Sequence, residues 1–121
     1  GNTAPYLLYA FARINSLLSK SSEFNNSMVL SLISVSEERN LLIKVLQFPE
    51  IVNTVSADCY PNLLCNYLFE LAGIFMRFYE ACPILKADKP IKSSRIALAS
   101  LTAATLKEGL DLLGIETLEK M

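Results

Sequence analysis

An all-α fold of about five helices is what this sequence predicts, and three observations carry the prediction. Apolar residues recur every three or four positions through long windows, the five prolines sit at the ends of those windows, and strand signals are almost absent. Only residues 28–35 form a short, apolar, partly β-branched run, which in an otherwise helical chain reads as helix or loop. With 121 residues, 52% hydrophobic and 19% charged, the chain can bury one core, so a single domain over residues 1–121 is expected and disorder is not. It begins at Gly1 with no leader-like stretch, so a piece of a longer protein is expected.

Residues 3–20 predict the first helix. Asn2 or Thr3 can cap it, Pro5 falls in the first turn where a missing N–H costs nothing, and Leu7, Phe11, Ile14 and Leu18 share one face. Residues 21–26 read as a loop. Ser34 and Glu37 have capping-box spacing, so a second helix is expected from there to Gln47. Pro49 ends or kinks it and starts a short third helix with Ile51, Val52 and Val55 inward. Pro61 opens a long fourth helix whose stripe is Leu64, Leu68, Leu71, Phe75, Phe78 and Cys82, and Pro83 stops it. After a basic connection at 86–90, Ile96, Ala99, Ala103, Leu106, Leu110 and Leu113 mark a long fifth helix that ends at Gly114, where a left-handed cap suits glycine. Gly73 and Gly109, inside helices, predict close helix packing.

Several functions are excluded. No histidine is present, which removes the commonest general base and metal ligand together, and no glycine-rich phosphate loop exists among Gly1, Gly73, Gly109 and Gly114. Cys59, Cys65 and Cys82 lack metal-site spacing and read as reduced thiols. The acid pairs Glu37/Glu38 and Glu108/Asp111 read as solvated helix faces rather than catalytic carboxylates. The longest uncharged run, residues 24–36, has 13 residues, short of a membrane span. Net charge is -1, yet residues 77–95 hold five bases and two acids, so this segment is +3 and the remainder -4. Arg77, Lys86, Lys89, Lys92 and Arg95 therefore offer either phosphate contacts or a soluble surface.

One surface grouping has binding chemistry. Tyr6, Tyr9 and Arg13 share a face about 130° from the apolar stripe of the first helix, at 100° per residue. Aromatic rings and guanidinium planes stack unpaired RNA bases, but the same residues also suit a core rim, an arginine paired to a neighbouring acid, or a protein-docking face. Tyr79 lies about 60° from the centre of the fourth stripe, at the core's edge.

Three segments add a resemblance. Residues 2–14 (NTAPYLLYAFARI), residues 64–73 (LCNYLFELAG) continuing through 78–85 (FYEACPIL), and the ending 109–121 (GLDLLGIETLEKM) are similar, in order, to the helical anticodon-binding domain that closes arginyl-tRNA synthetases. That domain, of the class I synthetases, is named after a D-A-L-R motif, which this chain lacks along with the HIGH and KMSK catalytic signatures. The resemblance implies recognition of the anticodon loop of arginine tRNA by a piece without activity or cofactor of its own. The parent's catalytic domain would use ATP to join arginine to the tRNA, in the cytoplasm, with no membrane or metal partner. Tyr6, Tyr9 and Arg13 match positions that resemble RNA-contacting ones, and Tyr79 matches a tyrosine that resembles a stacking platform, although Pro83 stands where some members carry an aromatic. Met121 is either an ordinary chain end or a soft contact for an unstacked base, held by Ile115 and Leu118 folding back; Arg77 completes the RNA-binding candidates. The cysteinyl and glycyl enzymes share the architecture, and a helical protein-interaction module is the alternative from another class.

Overall fold

A computed structural model describes residues 3–20, 33–58 and 61–114. These form five helices, α1 (Thr3–Ser19), α2 (Ser36–Leu46), α3 (Phe48–Asp58), α4 (Pro61–Ala81) and α5 (Lys89–Leu112), and the described residues contain no strand. The predicted loop at 21–26, most of the apolar run at 28–35, Cys59 and the tail with Ile115, Leu118 and Met121 lie outside the described residues.

The central helix is α4, and its stripe is buried throughout from Leu64 to Cys82. Contacts along it set the directions of its neighbours. Tyr6 meets Phe69 and Arg13 meets Tyr79, so α1 runs parallel to α4. Lys44 near the end of α2 reaches Glu70, while Glu38 near its start meets Arg95, which also reaches the Pro83 carbonyl just past α4; with Gly109 of α5 against Leu68, both α2 and α5 run antiparallel to α4. Helix α3 begins with buried Phe48, whose ring lies 5.9 Å from that of Tyr67, and Ile51, Val52 and Val55 pack partly against the core as predicted. The Tyr67 hydroxyl donates to the Lys44 carbonyl at the last turn of α2, and burial pushes its pKa up to about 12.

Gly114 adopts φ 77°, the left-handed conformation its position predicted. Five other expectations need correction. The capping position is Val35, not Ser34, and the acid that reaches back is Glu38, whose Oε1 accepts the N–H groups of Val35 and Ser34 at 2.9 and 3.0 Å. A valine has no side-chain oxygen, so only half of a capping box forms. Glu38 is also not on a solvated face: it is 1% exposed and its Oε2 accepts from Arg95 Nε at 2.8 Å. Burial alone would push this carboxyl up, but the Arg95 hydrogen bond, the two backbone donors and the guanidinium's charge together outweigh burial and hold it below its ordinary range. Arg95 is consequently no phosphate contact, because its Nη1 is also spent on the Pro83 carbonyl at 2.7 Å. Helix α5 starts at Lys89, inside the expected connection, since Pro90 suits a first turn as well as it suits a loop. Finally, Gly73 makes no close approach: a Cβ there would meet nothing nearer than Arg77 Nη1 at 3.8 Å.

Candidate nucleic-acid interface

The α1 face holding Tyr6, Tyr9 and Arg13 lies along the seam with α4. Leu7, Ala10, Phe11, Ile14 and Leu17 turn into the core, which leaves the tyrosines and the arginine at the rim. Arg13 Nη1 donates to the Tyr9 hydroxyl at 2.8 Å, one helical turn away. Its guanidinium carbon sits 5.0 Å from the centroid of the Tyr79 ring and 6.0 Å from that of Tyr9, within cation–π range of both. The Tyr9 hydrogen bond, followed by the charge distribution of the two phenols, raises the arginine's pKa further and keeps it a cation. Tyr79 in turn lies 6.2 Å from Phe75 at 26°, so two rings and a guanidinium succeed one another from core to surface.

Beside this column opens a groove of about 230 Å³ lined by Arg13, Ser16, Leu17, Lys20, Tyr79 and Leu85. None of these described lining residues is acidic, and among the described residues Arg13 is paired to no acid of a neighbouring helix; its partners there are phenols. Lys20 and Leu85 were not singled out in the sequence. Lys20 was findable, being seven residues after Arg13 and hence within about 20° of it around the helix. Leu85 was not, because it comes from the connection after α4.

The candidate residues do not all converge. Tyr9, Arg13 and Tyr79 form one cluster. Tyr6 lies nearer the start of α1 and packs its half-buried ring on Phe69, centroids 5.1 Å apart. Tyr79 is half-buried, with Phe75 and Arg13 against it, so it anchors the arginine more than it offers a bare platform. Arg77 is two residues from Tyr79 and therefore about 160° away around α4. It lines a separate groove of about 300 Å³ on the α2 side, with Glu37, Lys44 and Ile74 among its walls. That groove is roomier, but it mixes both charges and has no ring among its described lining residues, so no aromatic neighbour fixes Arg77 there as Tyr9 and Tyr79 fix Arg13. Arg77 thus leaves the cluster. Met121 lies outside the described residues.

The family model of the DALR anticodon binding domain matches residues 7–121. The chain belongs to the DALR anticodon-binding family. Over its full length this DALR domain is 55% identical to the arginine--tRNA ligase of Actinobacillus succinogenes and 54% identical to that of Mannheimia succiniciproducens. Among solved structures it superposes on Thermus thermophilus arginyl-tRNA synthetase with a TM-score of 0.89 at 34% identity. Against the Plasmodium falciparum arginyl-tRNA synthetase the TM-score is 0.85 at 34% identity, again over the whole chain. The DALR domain spans about a fifth of the length of these relatives, 21% of both ligases and of the Thermus enzyme and 22% of the Plasmodium one. No helix among the described residues is long and apolar enough to cross a membrane, and no group of three or more metal-ligating side chains forms among them.

Proposed function

We propose that this DALR domain grips the anticodon loop of arginine tRNA and is the terminal domain of an arginine--tRNA ligase. The remainder of that ligase would join arginine to the tRNA with ATP in the cytoplasm, and would be the domain's partner. The observation that carries the reading is the Arg13 guanidinium held between Tyr9 and Tyr79 beside a groove whose described lining holds no acid. A planar cation fixed by rings presents a flat, charged surface to an unpaired base, while Lys20 at the groove's edge suits a phosphate.

Specificity for an unpaired loop follows from this geometry. Stacking on rings and guanidinium planes needs bases out of a helix, and each stack contributes about 1–3 kcal/mol. The net charge of -1 supplies no bulk attraction to RNA, so affinity depends on fit rather than charge. The test is binding of the chain to an RNA hairpin carrying the arginine anticodon loop, followed by fluorescence anisotropy. The hairpin should bind, one with its middle anticodon base replaced should bind weaker, and Arg13→Ala should weaken both. Equal affinity for the two loops would overturn the reading. Because two groove cations are available, the slope of log affinity against log salt should be about -1 to -2.

A further inference from the structure

Phe69 is an anomaly in the packing. Of the five phenylalanines among the described residues, Phe11, Phe48, Phe75 and Phe78 are buried, whereas Phe69 is 49% exposed on the central helix. Its ring is nonetheless held in place, because Tyr6 lies against it at 5.1 Å and 48°. It opens on the same α1–α4 seam as Arg13 and Tyr79, with exposed Tyr9 on the helix turn between. The neighbouring acid, Glu70, points to the other side and is occupied by Lys44 at 2.7 Å. An apolar ring fixed at the surface, with its one acidic chain neighbour turned to Lys44, has the properties of a stacking platform.

We infer that Phe69, steadied by Tyr6, is a second base-stacking station of this interface, taking another unpaired nucleobase of the same loop. Distance supports this. Tyr6 and Arg13 are seven residues apart, about 10 Å along the helix at 1.5 Å per residue. Phe69 and Tyr79 are ten residues apart, about 15 Å along α4, and successive stacked bases rise about 3.4 Å, so the two stations are about three to four nucleotides apart on the strand. One seam would thereby hold both ends of a run of about four or five bases. The seam's exposed side chains are mainly rings and basic groups, with Leu85 the one exposed aliphatic among the described residues of its groove, which favours nucleobases over an apolar protein face.

This inference rests on the proposed function, and the experiment separates the two. The chain, Phe69→Leu, Phe69→Tyr and Tyr79→Leu are each titrated with the arginine anticodon hairpin and with hairpins made abasic at one loop position at a time. Leucine keeps apolar bulk against Tyr6 but removes the ring, so thermal unfolding should stay near that of the parent. Phe69→Leu should weaken binding about 5- to 150-fold, the equivalent of one lost stack, and Phe69→Tyr should retain it. That loss should vanish at one abasic position, about three to four nucleotides from the position where the Tyr79→Leu loss vanishes. If Phe69→Leu binds like the parent while Tyr79→Leu is weakened, the inference is wrong, the exposed ring serves a protein contact or none, and the proposed function stands. A Phe69→Leu loss that persists at every abasic position also overturns the inference. Failure of the parent chain to bind the hairpin at all overturns the proposed function and this station with it.

Discussion

Gly73→Ala and Gly109→Ala make the same chemical change inside two packed helices, and the structure gives them opposite signs. Alanine is preferred to glycine within a helix by about 1 kcal/mol, chiefly because glycine loses more backbone freedom on folding. At Gly73, midway along α4, the added methyl would have only Arg77 Nη1 within reach, at 3.8 Å, which is ordinary contact. The propensity gain should survive, stabilising the fold by about 0.5–1 kcal/mol. At Gly109 the methyl would come 2.6 and 2.7 Å from the two terminal carbons of Leu68 and 3.1 Å from its Cγ. Leu68 is wholly buried and cannot swing into solvent, so the helices must part or the leucine must leave its rotamer, at about 1–3 kcal/mol. Gly109 lies in the last turn of α5, where the propensity gain is smaller, and the net should be a loss of about 1–2 kcal/mol. With about 3–6 °C per kcal/mol for a chain of this size, the two variants should melt roughly 10 °C apart on either side of the parent. Leu68→Val should relieve part of the Gly109→Ala loss, giving a non-additive double-mutant cycle. Melting points displaced in the same direction, or a strictly additive cycle, would refute the packing argument.

Two further outcomes follow from buried titratable groups. Glu38→Gln removes the counter-charge of the buried Arg95 and leaves one amide oxygen where two carboxylate oxygens serve Arg95 and the α2 backbone donors, so it should cost about 3–5 kcal/mol at neutral pH. The folded-state pKa of Glu38 is depressed, so its contribution is present above the unfolded carboxylate value, about 4.3, and is lost as pH falls through the folded value. Urea titrations between about pH 6 and 3 should therefore lose stability more steeply in the parent than in Glu38→Gln. Thiol labelling of the native chain should find Cys65 more reactive than Cys82, since Cys82 is 1% exposed and burial raises its pKa, while Cys65 is half-buried. Equal rates for both would contradict the packing of the α4 exit.

Periodicity and punctuation were enough to read the helices. Core-facing residues recur at 3.6-residue spacing whatever the neighbour, and proline and Gly114 act through their own backbone, so the five elements, the α4 stripe and the left-handed cap were all legible from the chain alone. The face with Tyr6, Tyr9 and Arg13 was legible for the same reason: three residues on one helix share a side by arithmetic.

What lies between helices was not. Glu38 and Arg95 read as surface charges because each belongs to a polar stretch of its own helix, and only their approach from α2 and α5 over the Pro83 carbonyl buries and pairs them. Gly73 and Gly109 are indistinguishable as letters, and the presence of Leu68 opposite one of them decides which is tight. Arg77 and Tyr79 are neighbours in the chain but face different grooves, whereas Tyr6 and Phe69 are 63 positions apart and touch. A sequence determines the angle of each side chain about its own helix axis; which helix stands at that angle is a property of the packed bundle, and the interface is made of such meetings.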